Sequence, residues 1–586
     1  MKKRRISRLI AILALSLAAC AGPEPSPPPA QAPDMAAPTW KQHTAPVTLT
    51  MTSQITGNGE PGHAPLWGED DISRLMMDLT GVKLDIRYQG KDEVDIPSQI
   101  ASGEITDLIC VSAAEDARLL EDGGICYPLD ELAAQYCPDF WDDVDPLQQL
   151  NNQAADGHVY TLRSGYFSNA FYADPRIPLL PPWTLNFNKA LLGSRPLPTS
   201  IEELEALLAA YKQQVPPMAM ADVILNPIPQ WMGIGCGLSW DQQTRRVCTP
   251  FADPGWLDYI QLMNRWYREG LLALPDAGDA ELIRPYGFPP SWFDDVLPKT
   301  LVLAATHRIN RAGSLYQSTI TEDDPWPWIM ASEPLTYQGE NQMTAWDHQA
   351  SWAYGNHLLL SPAGHGIDAD SALFIGRCCQ QPDRAILFMQ FLKSKQGAKL
   401  THWGIEGQHY ILDEEGLPVY QAPYQNNRRV LDELDSDYRN SQLRQSGLQY
   451  WDFMANDTVY GLLAGSPIAY QTNPTLLAIR TQRIEAGKAY KAYAAKNKCP
   501  ALQFALPEAG TDEDAAYRAL LEAWRLGVES LILSSPDRES AARGWQALQQ
   551  ELDNMGLDAV EAAMTERFAG ALERYHEAGY FTEIQP

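Results

Sequence analysis

The chain has 586 residues, with 45 basic against 74 acidic side chains and a formal charge of −29 at pH 7. A field of that sign repels phosphate backbones and argues against a nucleic-acid partner. The length exceeds what one hydrophobic core organises, so more than one globular unit is expected.

Lys2, Lys3, Arg4, Arg5 and Arg8 precede an apolar and small-residue run from Leu9 to Ala19. That run is too short to cross a bilayer of about 30 Å as a helix, and residues 1–19 read as an export signal. It ends in Leu17-Ala18-Ala19-Cys20, which resembles a lipobox. The thiol of Cys20 is then the expected acceptor of a diacylglyceryl anchor, on the extracytoplasmic face of a bacterial cell membrane. Residues 20–45 follow as a stalk, because seven prolines between 21 and 38 favour extended polyproline II over a packed core. No later segment holds eighteen consecutive apolar residues.

The body opens with a strand over 47–52, then a turn-rich loop, SQITGNGEPG. A helix over 70–79 carries Ile72, Leu75, Met76 and Leu79 on one face and stops at Gly81. A strand over 82–88, a helix closed by Gly103 and a strand over 106–112 complete a βαβαβ alternation. This pattern implies a parallel sheet with helical crossovers. Ligands of such sheets bind at the carboxyl ends of strands, which points to the loops starting at Ser53 and Ser112. Further on, Ser200 and Glu203 form an S-x-x-E capping box, and Ile201, Leu204, Leu207, Leu208 and Tyr211 make the buried stripe of its helix. From Asp512 the chain reads as almost entirely helical.

Four stretches, in this order, carry a resemblance. They are the strand and loop after the stalk, SQIASGEITDLICVS (98–112), DGHVYTLRSGY (156–166) and QPDRAILFMQFLKSKQGAKLTHWGIEGQHY (381–410). Together with the closing GLDAVEAAMTERFAGALERY they resemble extracellular solute-binding protein family 1, the large solute-binding lipoproteins of bacterial carbohydrate importers. The resemblance implies an α/β, two-lobed, periplasmic-binding-protein-like (type II) fold with extra C-terminal helices. The N-terminal lobe would comprise residues 46–165 plus 365–410, and the C-terminal lobe 166–364 plus 411–586 with its helical additions. It further implies an oligosaccharide in the cleft between lobes, and an ABC permease with its ATPase as partners. The family's calcium loop is not matched: YKQQVPPMAMADVI lacks spaced oxygen ligands, so no metal is expected there. WTLNFNKALLGS (183–194) also departs from the family pattern, so ligand contacts are not carried over at that point.

Within this frame, particular residues stand out. Gly57-Asn58-Gly59-Glu60-Pro61-Gly62 matches G-x-G-x-x-G, but Pro61 removes an N–H that a phosphate would need and Glu60 is acidic. Asn58 is therefore read as part of a solute loop, without a nucleotide or other cofactor. Trp231 and Trp240 flank a glycine cluster, and Trp352 and Tyr354 share one side of an extended segment. Either pair offers rings for stacking on sugar, or belongs to the core. Arg163 and Tyr166 lie in the crossover, where the guanidinium would bond sugar hydroxyls or a uronate carboxylate, or form an interlobe ion pair. Trp403 is read as packing, and His402 with His409 as structural. Cys236 with Cys248, or Cys126 with Cys137, could close short disulfide loops, and buried free thiols fit equally well. No catalytic motif is present, so the chain is read as a binding protein and not an enzyme. The alternatives are a peptide- or signal-sensing lipoprotein and a secreted glycan-degrading enzyme.

Overall fold

The computed structural model describes residues 37–54, 66–88, 95–112, 114–163, 168–179, 183–214, 217–220, 224, 226–234, 237–241, 244–273, 303–308, 328–331, 334–339, 372–421, 451, 453–454, 456–466, 481–482, 484–485, 487–488, 491–492, 500–508 and 510–580. Among them no helix is long and apolar enough to cross a membrane.

A short helix, α1 (Thr39–Gln42), is fastened to the body before the first strand begins. The Asp139 carboxylate accepts from Thr39 N at 2.9 Å and Thr39 Oγ1 at 2.5 Å, and the Trp40 ring stands edge-on to Phe391 at 4.9 Å. β1 (Val47–Ser53) then pairs in parallel with β2 (Val82–Tyr88) and β3 (Leu108–Val111). Between them, α2 (Asp71–Thr80) starts where the Asp70 side chain accepts from Ser73 N at 2.7 Å. It ends at Gly81, with φ of 71° and so little room that a Cβ would stand 2.1 Å from the Thr44 carbonyl oxygen. Glycine is therefore required there on both grounds.

α3 (Ile96–Ser102) and α4 (Ala114–Asp122) flank β3. β3 is shorter than the expected 106–112 because side chains occupy its approach. The Asp107 carboxylate takes Thr50 N and Thr50 Oγ1, both at 2.8 Å, and Thr106 Oγ1 donates to Leu108 O at 2.7 Å. The strand alternates Leu108 and Cys110 into one core with Ile109 and Val111 into another, as a sheet covered on both faces must. α5 (Leu129–Tyr136), α6 (Pro146–Asn151) and α7 (Asn169–Ala173) lead toward a second sheet.

That sheet has the order β10-β4-β9-β5-β8. Its strands are β4 (Trp183–Asn188), β5 (Met218–Met220), β8 (Leu272–Ala273), β9 (Ala304–Arg308) and β10 (Trp328–Met330), with a hairpin of β6 (Ser239–Asp241) and β7 (Arg246–Cys248) beside it. β5 runs parallel to β8 and β9, and β4 antiparallel to β9 and β10. The capping box of α8 (Ile201–Tyr211) forms with a shift. Ser200 Oγ accepts from Glu203 N at 3.1 Å, while the Glu203 carboxylate reaches Thr199 N and Thr199 Oγ1 at 2.8 and 2.9 Å. α9 (Pro227–Trp231) and α10 (Gly255–Arg268) complete this body.

The chain then returns. β11 (Ala372–Ile375) joins the first sheet antiparallel to β3, giving the order β11-β3-β1-β2. α11 (Pro382–Lys393), α12 (Lys395–His402), the hairpin of β12 (Tyr410–Leu412) and β13 (Pro418–Tyr420), and α13 (Asp457–Gly465) follow. Trp451, Phe453 and Met454 come from the stretch 411–586 assigned by sequence to the second lobe, yet they pack in the first core. Trp451 Nε1 donates to the Asp70 carboxylate at 3.0 Å, and its ring lies 4.9 Å from Trp67, so the boundary moves.

The final helices α14 (Asp512–Ser534), α15 (Arg538–Asn554) and α16 (Leu557–Glu577) close over the second core. Trp524 meets Trp256 edge-on at 5.0 Å, and Phe568 meets Trp240 at 4.8 Å.

Candidate functional site

The carboxyl ends of β1 and β3, expected to carry ligand loops, form a polar edge. Gln54 N donates to Cys110 O at 2.9 Å, and Ser112 N donates to Gln54 Oε1 at 2.8 Å. Gln54 Nε2 donates in turn to the Asp116 carboxylate at the start of α4. Amide and carboxylate groups, the kind of polar partner a solute hydroxyl requires, thus stand side by side here and are bonded to one another. Asn58, Tyr166, Trp352, Tyr354, Cys20 and Cys236 lie outside the described residues, as does the G-x-G-x-x-G loop.

The structure corrects one expectation about the tryptophans. Trp240 is 1% exposed and tilted against Phe568 of α16, in the second core rather than at a cleft. Only the hairpin face that carries Trp240 and Val247 is buried, so this ring is not offered to a sugar. Trp231, on α9, is 7% exposed and belongs to the same core. The sequence could not distinguish Trp240 from a stacking platform because the helix that covers it lies more than 300 residues away.

Arg163 leaves the first body at the crossover. Its guanidinium pairs with Glu121 of α4 at 2.9 Å, an ion pair within the first body rather than one between lobes. Its backbone is gripped as well: Arg163 N donates to Asn152 Oδ1 at 3.0 Å, and Gln148 Nε2 donates to Arg163 O at 3.1 Å. Upstream, Thr161 Oγ1 donates to Leu373 O of β11 at 2.9 Å.

Gln148 is itself held by Lys393, whose ammonium donates to Gln148 Oε1 at 2.8 Å. The carbonyl oxygen of Lys393 accepts from Asn456 Nδ2 at 3.2 Å, and Asn456 caps α13. Asp457, the next residue, accepts from Ser168 N at 2.6 Å, just beyond the crossover. Lys393 thus joins both passages of the chain at the edge of the first body, although it is only 4% exposed. α6 serves two bodies. Leu147 enters the second core, Gln148 holds the crossover, and Asn151 Oδ1 accepts from Tyr575 of α16. Sequence reasoning missed Lys393. The available signal was its place seven residues after Ile386, on the buried stripe of α11.

Among the described residues no group of three His, Cys, Asp or Glu stands where it could hold a metal ion. Cys126 and Cys137 are free and buried in different clusters, so the short loop between them is not closed, and Cys248 is also free. Burial pushes the Cys126 thiol up to about 12 and the Cys248 thiol to about 11, which leaves both protonated and unreactive. Trp403 is buried and its Nε1 donates to Val459 O at 3.0 Å. His402 is buried, and His409 Nδ1 accepts from Ile405 N at 2.8 Å.

No protein-family model matches the sequence, and no curated protein sequence matches it. Solved structures do match. An HMO-binding solute-binding protein associated with an ABC transporter, from Bifidobacterium longum infantis, is 13% identical with a TM-score of 0.55, covering 89% of this chain and 98% of its own. The ABC-transporter substrate-binding protein FusA of S. pneumoniae, in complex with kestose, is 14% identical with a TM-score of 0.55, covering 91% and 100%. The N-glycan transport solute-binding protein NgtS from Streptococcus pneumoniae is 16% identical with a TM-score of 0.50, covering 90% and 99%. The chain has the solute-binding-protein fold. In this solute-binding-protein fold the likeness lies in the architecture, since identity is below what family motifs need to stand out.

Burial holds the His409 imidazole below its ordinary value of 6.5, against a smaller opposing pull from Asp71. The unfolded chain therefore takes up this proton first, and folding stability falls as pH drops below 6.5. His409→Asn, whose amide oxygen replaces Nδ1 as acceptor, is expected to flatten part of that fall. Urea midpoints at pH above and below the transition, for both proteins, check this, and parallel declines would contradict it.

Proposed function

We propose that this chain is the solute-binding component of an ABC importer, and that it holds an oligosaccharide between its two α/β bodies. The observation that carries this reading is the extent of the likeness. About nine-tenths of the chain shares its fold with proteins whose names specify HMO binding, a kestose complex and N-glycan transport. The polar edge at Gln54, Ser112 and Asp116 supplies hydroxyl partners, and Asn58, Arg163, Tyr166, Trp352 and Tyr354 are the further proposed contacts. Trp231 is a weaker candidate because of its burial. Glu121 offsets the charge of Arg163, which favours a neutral sugar over an acidic one.

The mechanism is closure on the ligand. Solute bridging both bodies shifts the population toward a closed form, which a membrane permease then engages. The protein acts by binding, with no bond made or broken, and it is anchored outside the cytoplasmic membrane through acylated Cys20.

Thermal denaturation with a panel of neutral di- to tetrasaccharides, kestose among them, and with short peptides tests the ligand class. A saccharide at about 1,000 times its dissociation constant should stabilise the protein by roughly 4 kcal/mol and be recovered intact. Stabilisation by peptides alone, or cleavage of the glycan, would contradict the reading. Anchoring has its own test. Cys20→Ala should move the protein from the membrane fraction to the soluble fraction of expressing bacteria, and unchanged partitioning would rule the anchor out.

A further inference from the structure

Residues 174–179 connect α7 to the approach of β4, and they are held by two sets of contacts. One is with α13, whose glycines let it press close. A Cβ on Gly461 would stand 2.5 Å from Ile177 and 2.8 Å from Phe171, and one on Gly465 would stand 2.0 Å from the Arg176 carbonyl oxygen. α13 belongs to the first body, through Trp403 Nε1 on Val459 O at 3.0 Å and Asn456 Nδ2 on Lys393 O at 3.2 Å.

The other is with Lys491, 5% exposed. Its ammonium donates to the carbonyl oxygens of Asp174 and Ile177, the latter at 2.9 Å, and sits 5.6 Å from the Phe171 ring centroid. From the same stretch, Gly487 O accepts from Leu179 N at 3.1 Å. The Asp174 carboxylate is engaged elsewhere, by Arg176 at 2.6 and 2.9 Å, and Arg176 also donates to Glu415 O at 2.6 Å. The buried ammonium is thus met chiefly by carbonyl dipoles of the connector and by an aromatic face. Burial lowers the lysine to about 8, so it is still charged at neutral pH.

A buried lysine is a costly way to satisfy two carbonyls, and what it adds over apolar packing is a fixed geometry. We propose that Lys491 is a positioning residue that fastens residues 174–177 against α13, which makes this connector part of the first body and confines bending between the bodies to positions outside it. The inference rests on the two-body closing reading. Its test needs no ligand, so failure of the inference is distinguishable from failure of the sugar assignment.

The test is amide hydrogen exchange on the full chain without ligand. In the unaltered protein, the amides of Ile177 and Leu179 should exchange within about tenfold of the Tyr460 amide in α13, as one cooperative unit does. Lys491→Met should speed exchange across 174–179 by about tenfold or more, while Leu373–Ile375 of β11 stay unchanged, and Lys491→Arg should restore most of the protection. Gly461→Ala, whose new Cβ would press on Ile177 and Phe171, should give the same local loss and serves if Lys491→Met does not fold. A connector that exchanges far faster than α13 in the unaltered protein would overturn the proposal. So would variants that leave 174–179 unchanged, or that raise exchange equally in β11.

Discussion

The buried ammonium of Lys393 is the constraint on which the junction depends. Its side chain holds Gln148, which holds the Arg163 backbone, and its carbonyl holds Asn456, which caps the helix that receives Ser168. A charge this deep needs polar partners, because an unpaired buried group costs several kcal/mol. The ammonium meets Gln148 beside the first passage, while the backbone carbonyl of the same residue meets Asn456 beside the second. One residue, through its side chain and its backbone, thus ties both passages to the end of α11.

The second body depends on its late helices in a different way. Its hairpin and the start of α10 would expose Trp240, Phe251 and Trp256 without α14 and α16, which bring Trp524 and Phe568 against them. Glu561 of α16 adds a polar tie, accepting from Thr249 N and Thr249 Oγ1 at 2.8 Å each. Burial raises the pKa of this carboxyl, and the two Thr249 hydrogen bonds partly oppose that shift. The helical additions are thus the roof of the second core, and Tyr575 extends that roof to α6 at the junction.

What was legible in the sequence was what is local. The β1–α2–β2 run followed from apolar periodicity and from the stop at Gly81, whose positive φ and contact with Thr44 both demand glycine, while the cap at Asp70 emerged only in the structure. The box at Ser200 and the closing helices followed from the same kind of signal. The departures were all long-range. Trp240 stayed open between sugar platform and core because its cover is supplied by Phe568, and Trp451 read as second-lobe because its partners are Trp67 and Asp70. Lys393 lay on a readable stripe, but a lysine there reads as a helix end until Gln148 is seen beside it. Of the candidate ligand contacts, Arg163 was legible as a crossover residue, while its partner Glu121 was not, since 42 residues separate them.

Two sheets with a polar edge, a pinned junction and a fold shared with carbohydrate-binding transport proteins converge on one central claim: the bodies close on a glycan. Small-angle X-ray scattering, with and without a saturating neutral oligosaccharide that stabilises the protein, tests it most directly. The account predicts a smaller radius of gyration and a shorter maximum dimension when the sugar is bound. Identical scattering curves at demonstrated saturation would contradict it.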